Sequence, residues 1–404
     1  MNKKSWREDL FAGSELEVLE LVCERLKFEV IEEILEGGSA ARVWLANDSA
    51  GDRFAVKIVV ATPGVVDGHD IDSFRLKVTQ IDSIRTKAPK LGETYLPILY
   101  NVEGENWACQ ITPYFESTDQ AAPLRQPGGE DVFFRNYARF VDDLLVKGYG
   151  VETAAPPPDY LERIVIGRFL RRIPMLESAF PEALAADNMV INGHFCIAPK
   201  ILLPRLLRQT AHPDMSPVRL GLCAHGDANT RNVLCGIETE FRLIDPRGST
   251  EFWDPVYDLA KSLFCLTVWD PALRLGFNIC SSARGETPDY AVSFQRPLYA
   301  GYKRAIEEFL PFLAQQAGVQ EMMQGDACWK SRLLLTHDLH VLAEAPCRLS
   351  DRKPKFGADG ALSTPEDLAL GFYLLGTLFI NELARQLESG DELDAVRHLS
   401  FIGL

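Results

Sequence analysis

Three oxygen-bearing side chains stand at spacings that suit phosphate chemistry. Asp227 follows His225 and Gly226, Asn232 lies five residues further on, and an apolar segment ending in Leu243 and Ile244 runs into Asp245, Pro246, Arg247 and Gly248. Phosphoryl transfer asks few covalent roles of a protein. It needs a carboxylate to orient and deprotonate the attacking hydroxyl, and oxygen ligands for the metal ions that bridge the phosphates. Asp227 can be that carboxylate, with His225 beside it in support. Asn232 and Asp245 can hold metal, because magnesium takes one or two carboxylates together with phosphate oxygens and water. Singly, each piece is ordinary turn chemistry. Together, D-x4-N, a two-strand hairpin and an apolar strand ending in aspartate form a specific pattern.

A second group lies upstream. Gly37, Gly38 and Ser39 fall between two strand-like segments, and FAVK (54–57) places Lys57 in the next strand. Small residues let a backbone turn approach phosphates closely, and a lysine on the neighbouring strand can pair with them. A hairpin with a solvated lysine reads the same way in isolation; its place ahead of the Asp227 loop favours the phosphate reading.

These residues need elements to position them. Residues 14–27 have helical spacing, and 28–35, 41–46 and 53–60 read as three strands of an antiparallel meander. A helix is expected at 70–87 and two more strands at 94–102 and 106–115. Beyond Phe115 the pattern turns helical, at 131–147, 159–172, 200–210, 256–268, 296–316, 331–344 and 366–388, broken only by short strands at 232–235 and 241–244. The fold class expected is α+β: residues 1–115 form a small sheet with a helix, and 116–404 a mostly helical lobe.

The features GGSAARVW (37–44), FAVK, HGDANTRNVL (225–234), LIDPRG (243–248) and DPVYDLAK (254–261) resemble the aminoglycoside phosphotransferase and choline kinase group, which shares the protein-kinase-like fold. The resemblance spans about residues 28–268. It implies two lobes with ATP or GTP and Mg2+ between them, and a small hydroxyl-bearing acceptor such as a sugar, aminoglycoside or amino alcohol. It implies that Asp258 steadies the catalytic loop, and that Ile111 to Phe115 supplies the adenine-binding backbone. Pro113 has no N–H, so Thr112 and Phe115 are the candidates there.

Two departures stand out. Such folds pair the strand lysine with a glutamate on the following helix, and residues 70–85 contain none. Asp72, Asp82 or Gln80 can substitute, and Asp72 is the expected partner of Lys57. The second is Arg247 inside the metal turn, which suits a phosphate, an anionic substrate or a surface salt bridge equally well.

Composition narrows the alternatives. The chain has 404 residues and a net charge of −15, which argues against general nucleic-acid binding. Nine cysteines, none spaced CxxC, favour reduced thiols in the cytosol over a zinc or disulfide framework. The first ten residues lack a signal-peptide pattern, and the longest apolar stretch, 369–380, is shorter than a bilayer span, so no membrane partner is expected. His337 and His340 read as packing residues or as one side of the acceptor cleft. Asp254 follows Asp245 by only nine positions, too few for a protein-substrate docking loop. A nucleotide-binding pseudokinase and a nucleotidyl-transferring relative remain as alternatives. The acceptor is expected between the helices at 159–172, 256–268 and 331–344. With Asp254, Asp338 and Glu344 placed there, a neutral or cationic acceptor is favoured.

Overall fold

The structure, a computed structural model, describes residues 4–8, 11–34, 41–61, 70–209, 215–236, 240–284, 287–349, 355–356, 362–389 and 393–403. Its N-terminal region is a six-stranded sheet made of β1 (Lys4–Arg7), β2 (Glu29–Ile34), β3 (Arg42–Asn47), β4 (Arg53–Val60), β5 (Tyr100–Glu103) and β6 (Trp107–Pro113). The strand order is β1-β5-β6-β4-β3-β2. Only β1 and β5 run parallel; the other pairs are antiparallel. The short strand β1 was not foreseen, because KSWR shows no alternation of its own.

Side chains alternate across a strand, and this decides where Lys57 points. Trp44, Ala46, Val56 and Ile58 bury one face of the sheet against Val18, Leu19 and Val22 of α1 (Glu15–Leu26). Their neighbours Val43, Leu45, Ala55 and Lys57 therefore face the other way, into a cleft.

Helix α2 (Ile71–Lys87) starts at Asp70, whose carboxylate accepts the Ser73 amide at 2.8 Å. Phe74 packs with Val59 and Ala108 of the sheet, whereas Val78, Ile81 and Ile84 belong to the large core of the C-terminal part. The helix thus joins a small apolar cluster on the sheet to the large C-terminal core, and Gln110 of β6 fixes it by donating to the Phe74 carbonyl at 3.0 Å.

The C-terminal part is mainly helical, built on α3 (Glu130–Val146), α4 (Val256–Phe264), α5 (Trp329–Leu349) and α6 (Pro365–Ser389). Helix α6 is long and apolar enough to cross a membrane, but 89% of its apolar window is buried in the core. It packs along α5, and a side chain at Gly376 would place a Cβ 2.7 Å from Leu342 Cγ. A four-stranded sheet in this part was also unforeseen: 277–284 pairs with 287–294, which runs beside 188–191 and then 194–197.

The histidines of α5 pack rather than face a ligand. His337 Nδ1 and His398 Nε2 both lie 2.9 Å from Asp338 Oδ1, and His337 Nε2 lies 2.7 Å from the Thr267 hydroxyl. Burial pushes the His337 and His340 imidazoles below their ordinary value, so both are neutral at physiological pH.

Candidate active site

The cleft between the sheet and the helices has a volume of about 680 Å³ and is lined by Lys57, Asp227, Asn232 and Asp245 together. Strands β8 (Leu220–Leu222), β9 (Val233–Cys235) and β10 (Phe241–Leu243), with the two-residue strand β7 (Thr118–Asp119) on β9, hold the segments that bear the last three. The loop after β8 turns at Gly226, where φ is +75° and a Cβ would lie 2.9 Å from that of Arg247. Only glycine accepts both conditions comfortably.

Asp258 organises this loop from α4. Its fully buried carboxylate accepts the amides of Gly226 at 2.8 Å and Ala228 at 3.1 Å, and the Tyr149 hydroxyl at 2.8 Å. His225 adds a second brace. Its Nε2 lies 3.0 Å from the Ile244 carbonyl, which can only accept, and its Nδ1 receives the Asp227 amide at 3.2 Å. These partners require the Nε2–H tautomer. His225 thereby ties the Asp227 loop to the strand end before Asp245.

Asp227 presents its carboxylate to the cleft between two donors. Lys261 Nζ lies 3.1 Å from Oδ1, and Asn232 Nδ2 lies 3.4 Å from Oδ2. Burial pushes the Asp227 carboxyl up, but Lys261, Arg247, His225 and Lys77 outweigh it and hold it below the ordinary aspartate value. The group is ionised at neutral pH. Burial likewise opposes the charge on Lys261, and Asp227 and Glu344 overcome it, so its pKa is raised.

Asp245 sits at φ +56°, a conformation that costs a non-glycine residue roughly 1–2 kcal/mol. Two ammonium groups hold it there: Lys57 Nζ at 2.8 Å from Oδ2 and Lys77 Nζ at 2.5 Å from Oδ1. Burial raises its pKa, yet Lys57 and then Lys77 reverse the shift and leave it far below the usual carboxylate range. A depressed pKa stabilises the fold above the unfolded-chain value of about 3.9, and this stabilisation is lost as pH falls below it.

The donor set fits a hard divalent cation. Asn232 donates through Nδ2 to the Asp227 carbonyl at 2.9 Å, while its Oδ1 accepts no hydrogen bond among the described residues. That oxygen and the Asp245 carboxylate line the same cleft, and oxygen-only sets of this kind suit magnesium.

The expected role of Asp72 is corrected. Its side chain is 82% exposed and pairs with Arg75 at 3.3 Å, because Asp72 lies in the first turn of α2 on the face turned from the sheet. Lys57 pairs with Asp245 instead. Lys77, one turn past Phe74 and one turn before Ile81, occupies the buried face and was missed. A lysine at helical spacing among Phe74, Val78, Ile81 and Ile84 was the available signal. Gln80 is central in another way. Its Oε1 accepts the amides of Gly248 at 2.6 Å and Ser249 at 2.9 Å, and its Nε2 donates to the carbonyls of Cys223 at 3.1 Å and His225 at 3.2 Å. One side chain of α2 thus fastens the Asp227 and Asp245 segments together.

Gly37, Gly38 and Ser39 lie outside the described residues. At the other side of the cleft, Thr112 to Phe115 line the wall. The Tyr114 amide is committed to the Arg53 carbonyl at 2.9 Å. The Phe115 amide donates to nothing among the described residues, and its carbonyl accepts the Ser117 hydroxyl at 3.0 Å.

The far wall comes from the three helical segments expected for it. Arg168 projects from the run 161–170, Lys261 from α4, Trp269 from its wider continuation, and Glu344 and Arg348 from α5. Two of the carboxylates placed there are elsewhere. Asp254 is buried on Arg332 at 2.5 Å, and Asp338 is enclosed by its two histidines. Only Glu344 reaches the cleft, where Arg348 pairs with it at 2.8 Å.

No protein-family model matches the chain, and no curated protein matches its sequence. Among solved structures, it is similar to the ethanolamine kinase of Plasmodium vivax, with a TM-score of 0.51 and 12% identity over 91% of this chain and 86% of that one. An amicoumacin kinase solved with AMP-PNP and Ca2+ matches at a TM-score of 0.45 and 11% identity, covering 95% of this chain and 96% of that one. The streptomycin–ATP complex of an APH(2")-IIa matches at 0.42 and 14%, covering 97% and 100%. At 12% identity the first likeness establishes the fold, a protein-kinase-like arrangement of class α+β, and leaves the chemistry to the residues themselves.

Proposed function

We propose that the protein is a small-molecule kinase, which transfers the γ-phosphoryl group of ATP or GTP to a hydroxyl of a small acceptor. The observation that carries this reading is the convergence of Lys57, Asp227, Asn232 and Asp245 on one cleft. Residues 1–115 would form the nucleotide-binding lobe and 116–404 the lobe that bears the catalytic loop, metal ligands and acceptor site.

In this mechanism the purine lies against Thr112 to Phe115, where the Phe115 amide is available as a donor. Lys57 and Lys77 already point into the cleft, and the phosphates give both ammonium groups a second anionic partner beside Asp245. Asn232 and Asp245 would hold magnesium, which supplies charge neutralisation along the phosphates. Asp227 accepts a hydrogen bond from the acceptor hydroxyl and orients its oxygen in line with the γ-phosphorus. The bond from phosphorus to the leaving nucleoside diphosphate breaks, the bond to the acceptor oxygen forms, and the hydroxyl proton passes to Asp227. Its depressed pKa makes it a weak base, which suits a loose transition state in which the proton moves late.

The reading is tested by incubating the full chain with ATP or GTP, Mg2+ and a panel of small alcohols, with products weighed by mass spectrometry. A product heavier by one phosphoryl group, with nucleoside diphosphate released, is expected. A nucleotidylated product would assign the nucleotidyl-transferring alternative, and no transfer at all would favour the pseudokinase.

The metal assignment has its own test. Asp245→Asn and Asn232→Ala are each expected to weaken nucleotide binding tenfold or more in the presence of Mg2+, and much less in its absence, because a charge-assisted contact is worth about 1.5–3 kcal/mol. Calorimetric titration with and without Mg2+ reads the difference. An unchanged magnesium dependence in both variants rejects the site.

A further inference from the structure

We propose that the acceptor carries an anionic group, a phosphate or a carboxylate, which Arg247 and Arg168 hold on the side of the cleft away from the nucleotide. This deepens the kinase reading and rests on it.

The charge of the helical wall points this way. Arg168 of the run 161–170, Lys261 of α4 and Arg348 of α5 line it, and Arg247 of the turn after Asp245 lines the same cleft, with the carboxylates Asp119, Asp227 and Glu344. Each of those carboxylates already has a cation: Arg125 at 2.7 Å from Asp119, Lys261 at 3.1 Å from Asp227 and Arg348 at 2.8 Å from Glu344. A cationic acceptor would therefore meet positive charge and carboxylates that are already paired. Arg247 is the clearest excess. Among the described residues its guanidinium makes no hydrogen bond and no ion pair. A surface salt bridge, one reading of this residue from sequence, is absent among the described residues.

The two arginines are also positioned. Arg247 lies over the Trp253 ring at 5.6 Å, and Arg168 donates to the Tyr257 hydroxyl at 2.7 Å. Trp253 and Tyr257 meet edge to face at 4.6 Å, so a single aromatic pair anchors both guanidinium groups. Burial lowers the Arg247 pKa, and the nearby charges of Arg168 and Arg172 lower it further. Like charges gathered in a partly buried cleft repel one another, and an anion between planar donor forks relieves that repulsion. The Arg247 amide is bonded to the His225 carbonyl at 2.9 Å, which fixes the backbone of this arginine to the loop that carries Asp227. An anion held there leaves a neighbouring hydroxyl of the same molecule within reach of the base.

The test uses the full chain saturated with AMP-PNP and Mg2+, titrated calorimetrically with glucose 6-phosphate, glucuronate, glucose and glucosamine. At least one of the two anions is expected to bind tenfold or more tightly than glucose and glucosamine, and comparison of the two tells phosphate from carboxylate. In Arg247→Gln this preference is expected to vanish while the AMP-PNP Kd moves less than threefold. Tighter binding of glucose or glucosamine, no binding of either anion, or a preference that survives Arg247→Gln overturns the proposal. So does a tenfold loss of AMP-PNP affinity in that variant with anion binding intact, which would assign Arg247 to the γ-phosphate. A failure of the kinase reading looks different: the anion binds and the preference depends on Arg247, yet no nucleoside diphosphate is released from ATP with any probe. That result overturns the identification of the anion as an acceptor.

Discussion

Asp227→Ala is expected to lower kcat by roughly 10²–10⁴, the usual contribution of a positioned base, with nucleotide affinity within about threefold of the parent. Asp227 lines the cleft with a donor on each oxygen, Lys261 on one and Asn232 on the other, and it belongs to the loop that Asp258 and His225 brace. In the proposed reaction, removing it takes away the group that orients the acceptor hydroxyl and receives its proton. The variant also strips Lys261 of its nearest carboxylate, so Asp227→Asn serves as the companion, similar in shape but unable to accept the proton. Initial rates of nucleoside diphosphate release and calorimetric nucleotide titration are the measurements. The pH profile gives an independent readout. Because Lys261, Arg247, His225 and Lys77 outweigh burial, the acidic limb of kcat/KM that belongs to this group is expected below pH ~4. A kcat within tenfold of the parent for both variants removes the base role.

The second large effect concerns stability. Asp258→Ala is expected to lower the unfolding free energy by roughly 3–5 kcal/mol, because it leaves the Gly226 and Ala228 amides and the Tyr149 hydroxyl buried without an acceptor. Each orphaned donor costs about 1–3 kcal/mol, and the loop they belong to carries Asp227. Turnover should fall together with stability. Asp258→Asn is the informative partner: one end of the amide still accepts, while the other turns N–H groups toward donors. An intermediate loss is expected. Urea unfolding followed by tryptophan fluorescence measures both. A loss under 0.5 kcal/mol in Asp258→Ala, approximately the scatter of surface substitutions, would show that the loop is held by other contacts.

The double lysine on Asp245 bears on how the cleft works. Two ammonium groups at 2.8 and 2.5 Å leave the carboxylate well compensated by the protein itself. Lys77 stands on the helix that also bears Gln80, so the contact that replaces the missing lysine–glutamate pair links α2 to Asp245 directly. In this chain the position of α2 and the electrostatics of Asp245 are therefore one property.

The sequence by itself determined the local elements and the short-range part of the site. Period-2 alternation in 41–46 and 53–60 put Lys57 on the cleft face, since a strand admits only two faces. The five-residue spacing from Asp227 to Asn232 and the hairpin after it brought two functional groups together within one loop, where chain geometry leaves little choice. Helices at 14–27, 70–87, 131–147 and 331–344 were legible from their apolar stripes, which appear within a turn or so of their observed ends. What only the tertiary structure decided are partnerships between distant segments. Lys77 meets Asp245 across 168 positions, and Gln80 reaches Cys223 and Gly248 over similar separations. Nothing in helical spacing tells which buried polar residue will find which partner. Strand pairing of 188–191 with 287–294 is of the same kind, because it joins two hairpins far apart in the chain through only two residue pairs, Asp289 with Val190 and Tyr290 with Ile191. Asp72 went to solvent although it lies in the first turn of α2, since the helix phase that buries Phe74, Lys77 and Ile81 turns Asp72 outward. Asp254 and Asp338 were likewise assigned to the cleft by sequence position alone, whereas a buried carboxylate goes where a cation or a donor can satisfy it: Arg332 for one, two histidines for the other.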